Sequence, residues 1–161
     1  MGAFALPLEI GAGWRDKSGM HHPEIPTIHV DVQIMFFDTD CAAVVNNIAY
    51  LRFIETARTL LAEQIGMSLA QMAETQRYPV VVRTEIDYKR GATLGNKLEV
   101  KGWLEKVERS TFWVAFEITR PADGALIVTS RQRLALVQMP EGRPIRLPKE
   151  WDVRFKHLKA H

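Results

Sequence analysis

The spacing of apolar residues changes along this chain. Between Thr27 and Phe37 the apolar residues come to occupy alternate positions, which is the period of a strand with one buried face. Between Asn47 and about Ile65 they recur three and four positions apart, as on the buried face of a helix. This face consists of Tyr50, Phe53, Ile54, Ala57, Leu60, Leu61 and Ile65. Gly66 is a suitable residue to end the helix.

The second half of the chain returns to a period of two. Ser68 can cap a short helix over Leu69–Glu74, and four strands are predicted after it. The strands are Pro79–Lys89, Lys97–Val107, Thr111–Thr119 and Ala125–Gln138, with an Asp123-Gly124 turn before the last. A strand, a long helix and four strands in meander order predict an α+β domain. One helix would then cover one face of an antiparallel sheet.

The two terminal segments lack these periods. Residues 1–26 mix glycine, proline and polar residues, and we interpret them as a tail that is partly disordered or extended. The domain is then 27–151, and 152–161 form a C-terminal tail. His21 and His22 are adjacent and could bind a metal, but their position in a tail favours a linker.

Composition narrows the classes of function. The net charge is +2 and 25% of residues are charged, so neither nucleic acid nor an anionic membrane is indicated as a partner. A single cysteine, Cys41, excludes an internal disulfide and fits a reducing compartment. No apolar run approaches the roughly 20 residues that span a bilayer, and no signal peptide is evident. We therefore expect a soluble, cytoplasmic protein.

The residues that suggest chemistry lie between the first strand and the long helix. Asp38 and Asp40 close the strand, small residues follow, and Asn46-Asn47 open the helix. Carboxylates would therefore lie beside the positive end of a helix dipole, where backbone N–H groups have no partner within the helix. A carboxylate next to such an anion site is what attack on a carbonyl requires.

The stretch DTDCAAVVNNIAYLRFIETAR, which spans 38–58, resembles the motif of the 4-hydroxybenzoyl-CoA thioesterase family of hot-dog-fold proteins. The resemblance covers about 27–151. It implies a sheet of about five strands wrapped around one long central helix, and assembly into a homodimer or homotetramer. It also implies hydrolysis of an acyl- or aroyl-CoA thioester with no metal or prosthetic group, coenzyme A being part of the substrate.

By this resemblance, Asp40 is the catalytic carboxylate, as nucleophile or as general base to water. The alternative is that Asp40 only ends a strand or caps a turn, which is common for Asp. Asn46 and Asn47 could likewise only cap the helix, or the N–H near Asn47 could polarise the thioester carbonyl. The motif contains no histidine, so histidine base chemistry is not expected from it. Asp38 is expected to be structural.

Candidates for substrate contacts lie on or beside the long helix and the later strands. Val45, with Ile48 and Phe53, is a candidate for the acyl pocket, and the Tyr50 hydroxyl for its lining. Glu55 either forms a row of ion pairs with Arg52 and Arg58 or is buried where it orients the Asp40 loop. The candidates for binding the coenzyme A phosphates are Arg83, Lys89, Arg90, Arg131 and Arg133, and the alternative for each is a solvated outer face.

Two residues depart from the family's pattern, and a third lies beside the key acid. Ala43 stands where many relatives carry Gly, and Asn96 stands where they usually carry Asp in a Gly-Asp turn. Cys41 follows the key acid, and we interpret it as a small, buried and inert residue.

Two other functions stay open: an acyl-carrier-protein thioesterase, and a non-catalytic acyl-CoA-binding module. Retention of Asp40 argues against the binding module, because a pure binder gains nothing from a carboxylate beside the carbonyl. A hydratase of the same fold is disfavoured by the motif's lack of histidine.

Overall fold

The computed structural model describes residues 24–159. Its long strands are β1 (Thr27–Gln33), β2 (Arg77–Tyr88), β3 (Lys97–Val107), β4 (Thr111–Arg120) and β5 (Ala125–Gln138). Its helices are α1 (Asn47–Gln64), α2 (Leu69–Thr75) and α3 (Trp151–Arg154). Shorter elements are β6 (Arg143–Pro144) and the 3₁₀ turns Phe36–Asp38 and Lys156–Leu158. The predicted tail lies outside the described residues up to position 23, and so do His21 and His22.

The five long strands form one antiparallel sheet in the order β1-β3-β4-β5-β2. This is the predicted α+β arrangement, but the predicted meander is wrong for β2. Only β3, β4 and β5 follow one another, whereas β2 crosses to the far edge and pairs with β5. The two edges of the sheet are therefore β1 and β2.

The core lies between α1 and the inner face of the sheet. Alternate residues of β3 point inward, including Leu98, Val100 and Leu104, each no more than 1% exposed. The predicted apolar face of α1 is buried except for Leu60, which is 39% exposed. Burying each such large apolar side chain contributes about 1.5–3 kcal/mol before the entropy cost of ordering it.

Capping fixes the helix boundaries close to those predicted. The Asn46 side chain accepts a hydrogen bond from the Ala49 N–H at 2.9 Å and so begins α1. Gly66 follows the helix with a φ of +81°, a conformation that favours glycine. Ser68 and Gln71 bond each other's backbone N–H and begin α2 as a capping box.

The first strand ends earlier than predicted. We expected a strand to Phe37, but β1 stops at Gln33 and a 3₁₀ turn follows. The Asp38 carboxylate accepts the Met35 N–H at 2.9 Å, which closes this turn. Phe36 and Phe37 are consequently 81% and 67% exposed rather than part of a buried strand face.

The C-terminal segment belongs to the packed unit. We expected a tail from residue 152, but Phe155 is 1% exposed and its ring packs edge-on against Trp151 at 5.0 Å. Trp151 in turn packs against Phe112 of β4 at 5.2 Å. The core thus extends beyond the predicted domain end. No helix of the described segment is long and apolar enough to cross a membrane.

Candidate active site

Asp40 lies in a small hairpin between the 3₁₀ turn and α1. The Asn46 N–H donates to the Asp38 carbonyl and the Asp40 N–H to the Val44 carbonyl, each at 2.9 Å, and Thr39 bridges Val45 between them. At the tip, Asp40 Oδ1 accepts from Ala42 at 2.9 Å and more weakly from Val44 at 3.4 Å. No described residue donates to Oδ2. Asp40 is exposed, so this second oxygen is open to a ligand.

The tip of the hairpin requires a left-handed residue. Ala43 has a φ of +58°, a region that costs a residue with a Cβ roughly 1–2 kcal/mol relative to glycine. Ala43 therefore keeps the backbone conformation that suits the Gly found there in many relatives. The loop geometry is retained with some strain.

The segment after β2 holds the hairpin from its other side. Val45 donates to the Ala92 carbonyl at 2.9 Å, Leu94 donates to the Ala43 carbonyl at 3.2 Å, and Val44 bridges Thr93. The second arm of the hairpin is thus paired on both sides, with the first arm and with the segment 92–94. Its position relative to the sheet is fixed by backbone hydrogen bonds.

A side-chain network ties this second segment to β4. Asn96 Oδ1 accepts from the Thr93 N–H at 3.1 Å and from Arg120 at 3.2 Å. Arg120 also donates to the Gly91 carbonyl and pairs with Asp123 at 2.8 Å. The Arg120 hydrogen bond lowers the pKa of Asp123 to about 2. Asn96 can close the turn that relatives close with Asp, since an amide oxygen serves the same acceptor role here.

The start of α1 carries the candidate oxyanion site. Asn46 is the cap, and its side-chain amide donates to the Asp38 carbonyl at 2.9 Å. Asn47 is the first helical residue and is exposed. The backbone N–H groups of Asn47 and Ile48 have no backbone or side-chain acceptor within residues 24–159. These are two N–H groups that the helix leaves unpaired, at the positive end of its dipole.

Asp38 is structural, as predicted. It is 2% exposed, accepts the Met35 N–H, and pairs with Arg52 of α1 at 2.6 Å. One of the two alternatives for Glu55 was a row of ion pairs that included Arg52, and it is wrong for Arg52, whose side chain pairs with Asp38. Asp38 is buried but the Arg52 side chain is 49% exposed, so solvent screens this bond, which nevertheless joins the hairpin to the helix.

Tyr50 lies beneath the hairpin. Its ring packs against Tyr88 at 5.8 Å and Phe53 at 6.2 Å, and it is 3% exposed. Its hydroxyl has no hydrogen-bond partner of normal geometry among the described residues. Burial raises the pKa of Tyr50, and the nearby Ala92 backbone opposes part of that rise. In the single chain, Tyr50 is a core residue.

With this geometry in place, comparison with known proteins gives the family. The sequence model of the Thioesterase-like superfamily matches residues 34–155, which include the Asp40 hairpin, α1 and strands β2 to β5. The chain belongs to this superfamily. It is 30% identical over 129 residues to the acyl-CoA thioesterase YbgC of Haemophilus influenzae, covering 80% of this chain and 93% of that protein.

Solved structures share the fold of this thioesterase-like chain. The 1,4-dihydroxy-2-naphthoyl-CoA thioesterase from Synechocystis has a TM-score of 0.71 at 22% identity, covering 82% of this chain and 97% of that one. The DHNA-CoA thioesterase from Staphylococcus aureus has a TM-score of 0.73 at 24% identity, covering 81% and 89%. The predicted hot-dog fold and the predicted class of thioester hydrolase are confirmed.

The three apolar residues predicted to line the acyl pocket differ in their exposure. Val45 is 5% exposed and Phe53 is 8% exposed, so both belong to the core of the single chain, whereas Ile48 is 64% exposed. Sequence reasoning missed the exposed Phe36 and Phe37, because they continued an alternating pattern. Asp40 thus lies on the surface, in a segment whose neighbouring residues in the sequence include three exposed apolar side chains, Phe36, Phe37 and Ile48.

Glu55 faces solvent on α1. Its side chain is 66% exposed and pairs with Arg58 at 3.5 Å. Glu55 therefore forms an ion pair on the helix surface and is not buried. Arg58 donates to Gln132 of β5 at 2.6 Å, and burial lowers the pKa of its guanidinium. No described contact joins Glu55 to the Asp40 hairpin.

Most of the predicted phosphate-binding residues have acidic partners. The pairs are Arg83 with Glu85 at 2.9 Å, Lys89 with Asp87 at 3.1 Å, Arg131 with Glu105 at 2.8 Å, and Arg133 with Glu108 at 2.7 Å. Arg131 also packs over Trp113 at 4.6 Å. Among the five, only Arg90 has no carboxylate partner within residues 24–159. The sheet's outer face is therefore largely neutralised within the chain.

Cys41 is exposed, so the prediction that it is buried is wrong. It follows Asp40 at the hairpin tip, where a bulky thiol adduct would lie against the candidate site. No group of three or more His, Cys, Asp or Glu side chains suited to a metal ion occurs in the described part of the chain.

Proposed function

We propose that this protein hydrolyses an acyl- or aroyl-CoA thioester to the free acid and coenzyme A. The observation that carries the proposal is the Asp40 hairpin. It holds an exposed carboxylate oxygen in the same short loop that opens onto two unpaired N–H groups of α1. A base or nucleophile and an oxyanion site are the two parts that acyl transfer needs.

Two routes use this arrangement. In the first, the Asp40 carboxylate attacks the carbonyl carbon, the C–S bond breaks to release the thiolate, and water hydrolyses the mixed anhydride. In the second, Asp40 takes a proton from water as the water oxygen attacks the same carbon. In both, the N–H groups of Asn47 and Ile48 stabilise the oxyanion. A thiolate leaves without a strong general acid, which suits a hairpin without histidine.

The proposal is tested with a panel of acyl- and aroyl-CoA thioesters and acyl-carrier-protein thioesters, with release of free thiol measured by a colorimetric reagent. We expect turnover of at least one CoA thioester, unchanged by a chelator because the proposed chemistry needs no metal. Binding of every CoA thioester without hydrolysis would favour the non-catalytic module instead. Turnover of carrier-protein thioesters alone would favour an acyl-carrier-protein thioesterase.

We also propose that the active unit is a dimer joined along β2. This strand pairs with β5 on one side only, and Val80, Val81 and Val82 on it are 40%, 40% and 55% exposed. A long edge strand with exposed apolar residues is a template for pairing with another chain. A second copy would cover it and complete the pocket beside Asp40.

The dimer is tested by light scattering and activity together. Twice the chain mass of 18.3 kDa is expected for the wild type. Val80→Lys with Val82→Lys should give an inactive monomer, because lysine on an edge strand opposes pairing. Val153→Lys is the control for a surface lysine away from β2, since Val153 is 83% exposed and lies in α3. A fully active wild-type monomer would exclude the shared site.

A further inference from the structure

A cleft lies at the end of the sheet opposite the Asp40 hairpin. The hairpin contacts the segment after β2 and before β3, whereas the cleft is bordered by the start of β2 at Arg77 and the end of β3 at Val107. Its volume is about 650 Å³, within the range of small-molecule sites. Its other wall is the C-terminal segment 145–152. It is thus separate from the candidate active site of the same chain.

The cleft carries an excess of positive charge. Arg77, Arg109, Arg146 and Lys149 line it, are exposed, and have no carboxylate partner among residues 24–159. Both acidic residues of the lining have partners. Glu108 pairs with Arg133 at 2.7 Å, and Asp152 pairs with Lys159 at 2.6 Å. Four uncompensated cations therefore surround one concavity, unlike the ion-paired outer face of the sheet.

The walls of the cleft are fixed by packing and by backbone hydrogen bonds. Ile145 donates to the Leu136 carbonyl at 2.9 Å, and Leu147 donates to the Arg109 carbonyl at 3.3 Å. Trp151, at the floor, is 2% exposed within the aromatic cluster of the core. The cations therefore project from backbone that is already ordered, which reduces the entropy cost of binding a ligand.

We propose that this cleft binds the phosphate groups of a phosphorylated ligand of nucleotide size. Three arginines and one lysine line it, and guanidinium groups bind phosphate oxygens through paired hydrogen bonds. The concave shape, with Val107, Ile145 and Trp151 at its floor, fits a small molecule better than a flat protein surface would. Two sources of such phosphates are the nucleotide end of the coenzyme A substrate and a separate phosphorylated metabolite.

The coenzyme A source rests on the proposed function and on the proposed β2 dimer. Antiparallel pairing of two β2 strands puts the start of one beside the end of the other. The partner subunit's cleft would then lie at the same end of the joined sheet as the Asp40 hairpin of the first subunit. A substrate could extend from that hairpin to the partner's cations.

Binding is measured by calorimetry of the whole protein with inorganic pyrophosphate and with adenosine 3′,5′-bisphosphate. The test variant is Arg146→Gln with Lys149→Gln, two exposed residues whose replacement should leave the melting temperature unchanged. The matched control is Lys101→Gln with Lys156→Gln, which removes the same charge from exposed positions outside the cleft. We expect saturable binding to the wild type and the control, weakened at least about tenfold in the test variant.

The source is then assigned from turnover of an acyl-CoA and of the matching acyl-pantetheine, which lacks phosphate. If the nucleotide of coenzyme A occupies the cleft, the test variant raises KM for acyl-CoA alone. If a separate metabolite occupies it, neither KM changes although ligand binding is lost. No binding to the wild type, or equal binding by test and control variants, would overturn the proposal. The calorimetry needs no turnover, so failure of the proposed hydrolysis is recognised separately.

Discussion

Replacing Asp40 with Asn separates the chemical role of this residue from its role in shaping the hairpin. Oδ1 accepts the Ala42 and Val44 N–H groups at 2.9 and 3.4 Å, and an amide oxygen can accept the same bonds. The change removes the negative charge and makes the open Oδ2 position an amide nitrogen. Asp40→Asn should therefore keep the hairpin and lose the base or nucleophile.

The two effects have different magnitudes. Loss of a positioned base or nucleophile lowers kcat by about 10²–10⁴, which is about 2.7–5.4 kcal/mol of transition-state stabilisation. The exposed turn bonds are worth only about 1 kcal/mol of folding stability in total, and Asn should retain them. Asp40→Ala serves as the matched variant, because it loses both the charge and the turn bonds.

The assay combines thiol release on the best substrate of the panel with thermal unfolding of each variant. We expect the wild-type melting temperature and a rate reduced at least about 100-fold for Asp40→Asn. Asp40→Ala should be equally inactive and slightly less stable. A kcat for Asp40→Asn within a few-fold of the wild type would remove this carboxylate from the mechanism.

Three further predictions concern residues near the hairpin and at the far end of β3. Ala43→Gly should be neutral or raise the free energy of unfolding by up to about 1 kcal/mol, as measured by denaturant titration. Relief of the left-handed strain at Ala43 outweighs the chain entropy that glycine adds to the unfolded state. A loss of stability would show that Ala43 is not strained. Cys41→Ala should keep full turnover, whereas alkylation of the exposed wild-type thiol should block the site by its bulk; an inactive, folded Cys41→Ala would indicate thiol chemistry. The Thr111 hydrogen bond and neighbouring cations lower the pKa of Glu108 to about 2, so its contribution is present above the unfolded pKa and is lost as the pH falls towards 2. Glu108→Gln should cost about 1 kcal/mol near pH 7 and almost nothing at pH 2, and an equal cost at both would refute this.

Local structure was predictable where the determining residues are close in the sequence. Asn46 and Gly66 mark the ends of α1 because a cap and a left-handed residue act within one turn. The strands followed from their period, and Lys97–Val107 and Ala125–Gln138 match the structure residue for residue. The fold class and the family could be predicted for the same reason, because the periods and the motif lie in short stretches of the sequence.

What escaped prediction depends on distant contacts. The pairing of β2 with β5 joins strands that are far apart in the sequence, and the period of β2 contains no sign of it. Arg52 has a carboxylate nearby on its own helix at Glu55, yet it pairs with the buried Asp38. The cations of the basic cleft are brought together only by folding, because Arg77 and Lys149 are far apart in the sequence. Charge pairing is a three-dimensional property that residue type alone does not reveal.

The crossing of β2 to the far edge also governs how the chain can fold during synthesis. β2 leaves the ribosome some 50 residues before its partner β5 is complete. At about 5–20 residues per second, its valine-rich segment waits several seconds with neither edge paired. The first strand waits longer, some 74 residues from Gln33 to the end of β3 at Val107, but it carries no run of adjacent valines. Slow codons between residues 88 and 138 should therefore lower the yield of folded protein, because they prolong the time in which the valine-rich β2 can aggregate.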